Sequence, residues 1–303
     1  MDLKSKIILI YGPTASGKSN FAIKLSKKIN GEIINADSMQ VYKELKVLSA
    51  RPTKNEYKKI KHHLFGFHSV KKKFSTGDWL KLAKKKIEDI KKRKKVPILV
   101  GGTGLYFKSL TDGLVSIPNI PIKFREKVRA LYKKIGTDKF FLKLNKIDPL
   151  TIKKIRPTDT QRVIRAYEVK SFTKKSIFEW FSETKPDFKK KDFYKLVIDF
   201  PREELFNRIN SRVIDMINAG AILEVKKFLK LKVAKSKTVS KAIGISEIRE
   251  YLKKKIELEE LIEKISIKTR HYAKRQMTWS RGNMIDWKYI NSKNIKNFLD
   301  KVN

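Results

Sequence analysis

The sequence predicts an α/β fold: a parallel sheet covered by helices on both faces, which the chain leaves once for an all-helical insertion. Three observations predict it. Short, continuously apolar runs alternate with amphipathic stretches in the first third of the chain, as expected of strands buried on both faces. Gly12-Pro13-Thr14-Ala15-Ser16-Gly17-Lys18-Ser19 fits G-x-x-x-x-G-K-[ST] and joins the first apolar run to the first helix. Strand periodicity then disappears between residues 122 and about 188 and returns at 193–200.

The elements follow in order. Ile7-Ile8-Leu9-Ile10-Tyr11 reads as a strand over 6–11, and Phe21, Ala22, Leu25 and Ile29 form one apolar face of a helix over 18–29. A second strand is predicted at 32–35, a helix at 76–92 and a third strand at 96–100. Gly113, Pro118 and Pro121 break the pattern and mark a boundary. Short helices are expected over 122–188. After the strand at 193–200 come helices at 202–218, 221–231, 246–254 and 257–281. The organisation is a P-loop NTPase-like core in two parts, 1–117 and 191–303, around a helical insertion at 118–190.

The chain has 303 residues, 41% of them hydrophobic, enough for a sizeable core. No window approaches the length of a membrane span and the amino terminus carries no signal core, so a cytoplasmic protein without membrane attachment is expected. The absence of cysteine excludes disulfides, thiolate metal sites and thiol nucleophiles. Four histidines make a His-rich metal centre improbable. The net charge of +41 points to a polyanionic partner. Of the 72 basic residues only 14 are arginine; the lysine excess reads partly as codon bias, and runs such as 91–95 as solvated faces. The scarce arginines suit bidentate phosphate contacts. Nothing reads as an extended apolar interface, so a monomer is expected.

In the loop at 12–19, backbone N–H groups and the start of a helix form an anion site. Lys18 supplies a point charge, and the Ser19 hydroxyl can ligate a magnesium ion bridging phosphates. Asp37 follows the second strand at the carboxyl end of the sheet, where ligands bind; it could ligate magnesium, act as a base, or cap a helix. The third strand ends in Gly101-Gly102-Thr103-Gly104 where a nucleotide hydrolase has an aspartate. These glycines read as permitting close approach to a ligand, with Thr103 an exposed donor.

Together the loop at 12–19, Asp37-Ser38-Met39-Gln40-Val41-Tyr42 and Gly101-Gly102-Thr103-Gly104-Leu105-Tyr106 resemble, in type and order, the tRNA dimethylallyltransferases. The resemblance continues through His62-His63-Leu64, Asp148-Pro149, residues 156–166 from Arg156 to Ala166, Arg208-Ile209, Arg212-Val213, Ala242-Ile243-Gly244, and residues 269–279 from Thr269 to Trp279. It spans nearly the whole chain. One stretch departs: Val47-Leu48-Ser49-Ala50-Arg51-Pro52 stands where the family has Ile-Gly-Thr-Ala-Lys-Pro, which alters loop geometry after Asp37.

The resemblance implies transfer of a dimethylallyl group from dimethylallyl diphosphate to N6 of the adenosine 3′ of the anticodon, in tRNAs reading codons that begin with U. The loop at 12–19 (Gly12, Pro13, Thr14, Ala15, Ser16, Gly17, Lys18, Ser19) then holds diphosphate, with Mg2+ on Ser19. Asp37 is implied as the general base, Thr103 and Arg212 as further catalytic residues. Asp37, Ser38, Met39, Gln40, Thr103, Arg125, Gln161, Arg162, Val163, Ile164 and Arg165 are implied as tRNA-binding, the insertion being the tRNA-binding subdomain. Gln161 and Arg165 are spaced i, i+4 on one helix face. Arg208, one turn before Arg212, competes with it for the diphosphate role. The basic helix bearing Arg270, His271, Lys274, Arg275 and Arg281 suits a phosphate backbone, while Trp279 reads as a packing residue and His62 and His63 as packing or capping residues. A phosphate-loop kinase and a non-catalytic nucleotide-gated RNA-binding module remain as alternatives.

Overall fold

Five successive apolar residues bury β1 (Ile7–Tyr11) along its whole length. A computed structural model describes residues 3–302 except Lys54, Lys58, Lys235 and Ser236. It divides the chain into two units, Met1–Thr111 with Phe188–Asn303 and Asp112–Asp187, against the expected insertion at 118–190.

In the first unit, α1 (Lys18–Lys28), β2 (Gly31–Asn35), β3 (His62–His63), α2 (Thr76–Lys92), β4 (Val96–Gly101) and α3 (Gly104–Thr111) precede the departure of the chain. The second unit holds α4 (Ile122–Ile147), α5 (Pro149–Ile152), α6 (Thr160–Thr173) and α7 (Ile177–Ser182). The chain returns through β5 (Phe193–Asp199), α8 (Arg202–Asn218), α9 (Ala221–Lys230), α10 (Ile245–Leu252), α11 (Leu258–Asn283), β6 (Lys288–Asn291) and α12 (Ile295–Asp300).

The sheet is parallel throughout, in the order β3-β2-β4-β1-β5-β6. Its strand order reverses at β1, the position at which open α/β sheets bind ligands beyond their carboxyl ends. Period-two alternation sorts the apolar residues onto two faces. Ile8, Ile10, Ile33, Ile98 and Ile198 pack against Phe21, Leu25 and Phe298 of α1 and α12. Ile7, Leu9, Ile34, Leu99 and Val197 pack against Trp79, Ala83, Ile87 and Phe107 of α2 and α3. A third cluster joins Val41, Leu45, Leu205, Ile209, Val213, Val225, Ile248 and Ile265, bringing α8–α11 against the loop after β2.

Several expectations are corrected. The strand 96–100 is fourth in the chain, because His62–His63 pairs with β2 as a two-residue edge strand. The other edge strand β6 and helix α12 also lacked a signal, because so few residues establish no period. No helix follows Asp37; residues 38–50 form turns. The first stretch of the insertion, 122–147, is two successive helical segments, separated at Gly136 by a non-helical backbone (φ 76°, ψ 177°). Lys95 pairs with buried Glu32 at 3.5 Å, so the lysine run at 91–95 is not all solvated.

The helical unit has its own core of Val128, Phe140, Leu144, Val163, Ile164, Ala166 and Val169. Asp159 caps α6 by accepting the Arg162 N–H at 3.4 Å. Among the described residues no helix is long and apolar enough to cross a membrane.

Candidate active site

The loop between β1 and α1 turns by means of two left-handed residues, Ala15 (φ 62°) and Gly17 (φ 78°). Gly17 adopts this conformation without a Cβ penalty. The turn delivers the first-turn amides of α1, which have no intrahelical acceptor, to one place. Lys18 Nζ donates to the Pro13 carbonyl at 2.9 Å, so its charge lies along the loop. Burial pushes the Lys18 ammonium down to about 8, against the opposing attraction of Asp37. The Ser16 hydroxyl is buried without a hydrogen-bond partner, and Ser19 lies partly buried in the first turn of α1.

Asp37 is held by its neighbours. Its backbone N–H donates to Asn35 Oδ1 at 2.9 Å, and its Oδ1 accepts the Met39 N–H at 2.9 Å, an Asx turn rather than a helix cap. Asn35 is fully buried and donates to the carbonyls of Asp37 and Leu64. Thr103 is half-buried rather than exposed, and its donor is used within the protein: its Oγ1 accepts the Ser38 N–H at 2.9 Å and donates to Ser38 Oγ at 3.3 Å. The Gln40 amide donates to the carbonyls of Ser49 and Ala50 at 3.1 and 3.2 Å, closing the following loop.

The glycines at the end of β4 make room for protein groups. A Cβ on Gly101 would lie 2.1 Å from the Ala36 carbonyl oxygen, and one on Gly102 would lie 2.1 Å from Gln276 Nε2. Gln276 itself, buried on α11, donates to the Gly102 carbonyl at 2.9 Å and accepts the Thr14 N–H at 2.8 Å. Its own carbonyl accepts the Tyr11 hydroxyl at 2.9 Å. Trp279 packs beside Tyr11 with ring centroids 6.0 Å apart, a packing role as expected.

Two of the three arginines of α8, Arg208 and Arg212, reach the phosphate loop. Arg212 Nη1 lies 3.5 Å from Thr14 Oγ1, and burial lowers its affinity for its proton while Asp37 raises it. The Arg208 guanidinium stacks 4.8 Å from the centroid of Phe200 and lies 3.6 Å from where a Gly17 Cβ would stand. The resemblance assigns the diphosphate role to Arg212, with Arg208 one turn before it; the structure brings both to the loop.

A cavity of about 370 Å³ opens from this point. Thr14, Arg212, Asp37 and Ser38 line one part, and Leu45, Leu48, Val213, Met216, Ile243 and Ile265 line another. Met39, Tyr272 and exposed Arg275 also border it. Burial and the Asp37 charge both raise the Tyr272 phenol, so it is neutral. Glu224 fixes the wall: its carboxylate accepts the N–H groups of Lys46, Val47 and Leu48 at 2.8, 2.8 and 2.9 Å. The departure at Leu48 therefore alters the cavity, because the side chain lines it and reaches within 2.5 Å of a would-be Gly244 Cβ. Arg51 donates to the Tyr42 carbonyl at 2.9 Å. Sequence reasoning missed Asn35, Glu224 and Gln276 as positioning residues, since their partners are remote in the chain.

In the helical unit, Gln161 and Arg162 are exposed on α6, and Arg162 pairs with Asp159 at 3.0 Å. Val163 and Ile164, grouped with the tRNA-facing residues by resemblance, have buried side chains in the apolar core; they anchor α6 rather than present a surface. Arg125 and Arg165 are brought together on Glu168, at 3.2 and 3.3 Å.

The description IPP transferase belongs to a family model that matches residues 40–283. The chain is 59% identical to a tRNA dimethylallyltransferase of Pelagibacter ubique, over 100% of this chain and 96% of the relative. It is 43% identical to that of Rickettsia massiliae, over 98% and 83% respectively. Among solved structures, it is similar to a eukaryotic dimethylallyltransferase acting on tRNA (TM-score 0.83, 32% identity, 98% of this chain and 76% of that one). A tRNA isopentenylpyrophosphate transferase of Bacillus halodurans matches with TM-score 0.70 and 31% identity, over 98% and 95%. A phosphate loop on a parallel sheet, a cavity beside it and these matches along the chain agree: the chain belongs to the IPP transferase family.

Proposed function

We propose that this protein transfers a dimethylallyl group from dimethylallyl diphosphate to N6 of the adenosine 3′ of the anticodon in tRNAs reading codons that begin with U. The observation that carries the reading is a single cavity bordered by the phosphate loop and Arg212, by the Asp37 carboxylate, and by an apolar wall. Those three features match the anionic leaving group, the proton to be removed and the five-carbon chain.

In the reaction the allylic C–O bond breaks and its electron pair leaves on diphosphate, while a bond forms from N6 to that carbon. Negative charge grows on the leaving oxygens, where loop amides, Lys18, Arg212 and Arg208 stabilise it. The N6 lone pair is delocalised into adenine, so removing a proton as bonding develops is worth ~10²–10⁴-fold. Asp37 accepts that proton on Oδ2, its Oδ1 being held by the Met39 N–H. Thr103 acts through Ser38, keeping the Asp37 turn in place. Reaching the base requires it to leave its stack, which an anticodon loop permits at low cost.

The donor set fits magnesium. No group of three or more His, Asp or Glu that could hold a metal occurs among the described residues. Ser19 offers one hydroxyl, and Mg2+ takes few protein ligands when phosphates and water complete its octahedron. Bound there, the ion would neutralise charge on the diphosphate oxygens. The protein is proposed to act in the cytoplasm as a monomer.

The test is mass spectrometry of tRNA incubated with the protein, magnesium and dimethylallyl diphosphate. One dimethylallyl group on the adenosine next to the anticodon supports the reading. Unmodified tRNA, or ADP release from ATP with a nucleoside acceptor, overturns it.

A further inference from the structure

Glu168 on α6 is 1% exposed, and three arginines converge on its carboxylate. Arg125 Nε lies 3.2 Å and Arg165 Nη1 3.3 Å from Oε2; Arg129 Nε lies 3.8 Å from Oε1. The three side chains are themselves 41%, 37% and 52% exposed. One negative charge holds three positive ones at the surface of the helical unit, and Oε1 makes no hydrogen bond.

Charge balance alone does not call for this arrangement. A buried carboxylate needs one well-placed partner, and adding two more guanidiniums brings like charges together. A guanidinium has five N–H donors in a rigid fork. One edge directed at Glu168 leaves the other edge outward, with its rotamer already chosen. Arg125 and Arg129 are one turn apart on α4, and Arg165 comes from α6, so the cluster spans two helices. The surplus of two positive charges suits anionic groups in succession.

We infer that Glu168 is a positioning residue that holds Arg125, Arg129 and Arg165 as a preorganised clamp for neighbouring phosphates of the tRNA backbone, with Arg129 making a phosphate contact of its own. The inference rests on the proposed tRNA substrate and deepens it. Immobilising rotamer-rich side chains before binding lowers the entropic cost of the complex. Salt dependence follows from the counterions that each bound phosphate releases.

The test opposes charge to geometry. Glu168→Gln raises the net charge by one, so a surface acting through bulk charge binds tRNA more tightly. A clamp loses its organiser and binds at least tenfold more weakly. Binding and prenylation are measured below the melting temperature of the variant. The expected result is a raised KM for tRNA with kcat at saturating tRNA within about twofold, whereas partial unfolding lowers kcat. Should Glu168→Gln fail to fold, Arg129→Ala decides: binding at least fivefold weaker, and a slope of log affinity against log salt reduced by about 0.7–0.9. Equal or tighter binding by Glu168→Gln, or unchanged affinity and slope in Arg129→Ala, overturns the clamp. Wild-type protein that neither binds nor modifies tRNA overturns the function instead.

Discussion

Gln276 and Thr14 are 262 residues apart in sequence, yet the side-chain amide of one accepts the backbone N–H of the other at 2.8 Å. The same amide donates to the Gly102 carbonyl, so one residue of α11 ties the phosphate loop to the turn after β4. Gly102 is a glycine because that amide occupies the space of its Cβ.

Gln276→Ala leaves the Thr14 N–H and the Gly102 carbonyl without their partner, a loss of about 2–6 kcal/mol for two such groups. The expected outcome is a lower Tm together with a raised KM for dimethylallyl diphosphate. Gln276→Glu keeps the acceptor for Thr14 but sets a buried carboxylate against the Gly102 carbonyl and beside the anion site, so its KM should rise further than that of the alanine variant. Wild-type KM in the alanine variant would show that the loop holds itself.

Asp37→Asn tests the base. The asparagine oxygen still accepts the Met39 N–H, so the turn survives, but the carboxamide cannot take the N6 proton. Single-turnover transfer should slow about 10²–10⁴-fold, with tRNA binding retained. Near-normal transfer would remove Asp37 from that role.

Lys18 makes diphosphate binding pH-dependent. Burial lowers its proton affinity from the ordinary 10.5 to about 8, so the free protein loses this charge as pH rises through 8. Diphosphate favours the charged form. Binding should therefore weaken above pH 8 and take up protons there, measured calorimetrically in buffers of different ionisation enthalpy. Stability moves oppositely: the charged amine penalises the folded protein below pH 8, and the penalty fades between about 8 and 10.5. Lys18→Met should raise the Tm of the ligand-free protein at pH 7 and abolish proton uptake.

Arg162 and the lysines of α2 separate specific contact from general charge. Arg162 is 73% exposed on α6, its pair with Asp159 being a surface one. Arg162→Ala should weaken tRNA binding by about 1–3 kcal/mol as a charge-assisted contact is lost. Neutralising exposed Lys81, Lys85 and Lys92 together should cost less and leave steep salt dependence. A larger loss from the lysines, in binding titrations against salt, would assign the tRNA to another face.

By itself the sequence determined whatever is decided within one or two turns of chain. The apolar run from Ile7 to Tyr11, the glycine and lysine spacing of the phosphate loop, and the apolar face of α1 are local patterns, and each formed as expected. The helices at Thr76–Lys92 and Arg202–Asn218 carry enough residues to establish their period. Two-residue β3 and four-residue β6 do not, and only pairing with β2 and β5 makes them strands. The tertiary structure alone decided which polar groups meet. Glu224 reaches the amides of residues 46–48, and Arg208 joins Arg212 at the loop. A buried hydrogen-bonding group takes whichever partner the crossing of chains supplies, and periodicity carries no information about a partner hundreds of residues away.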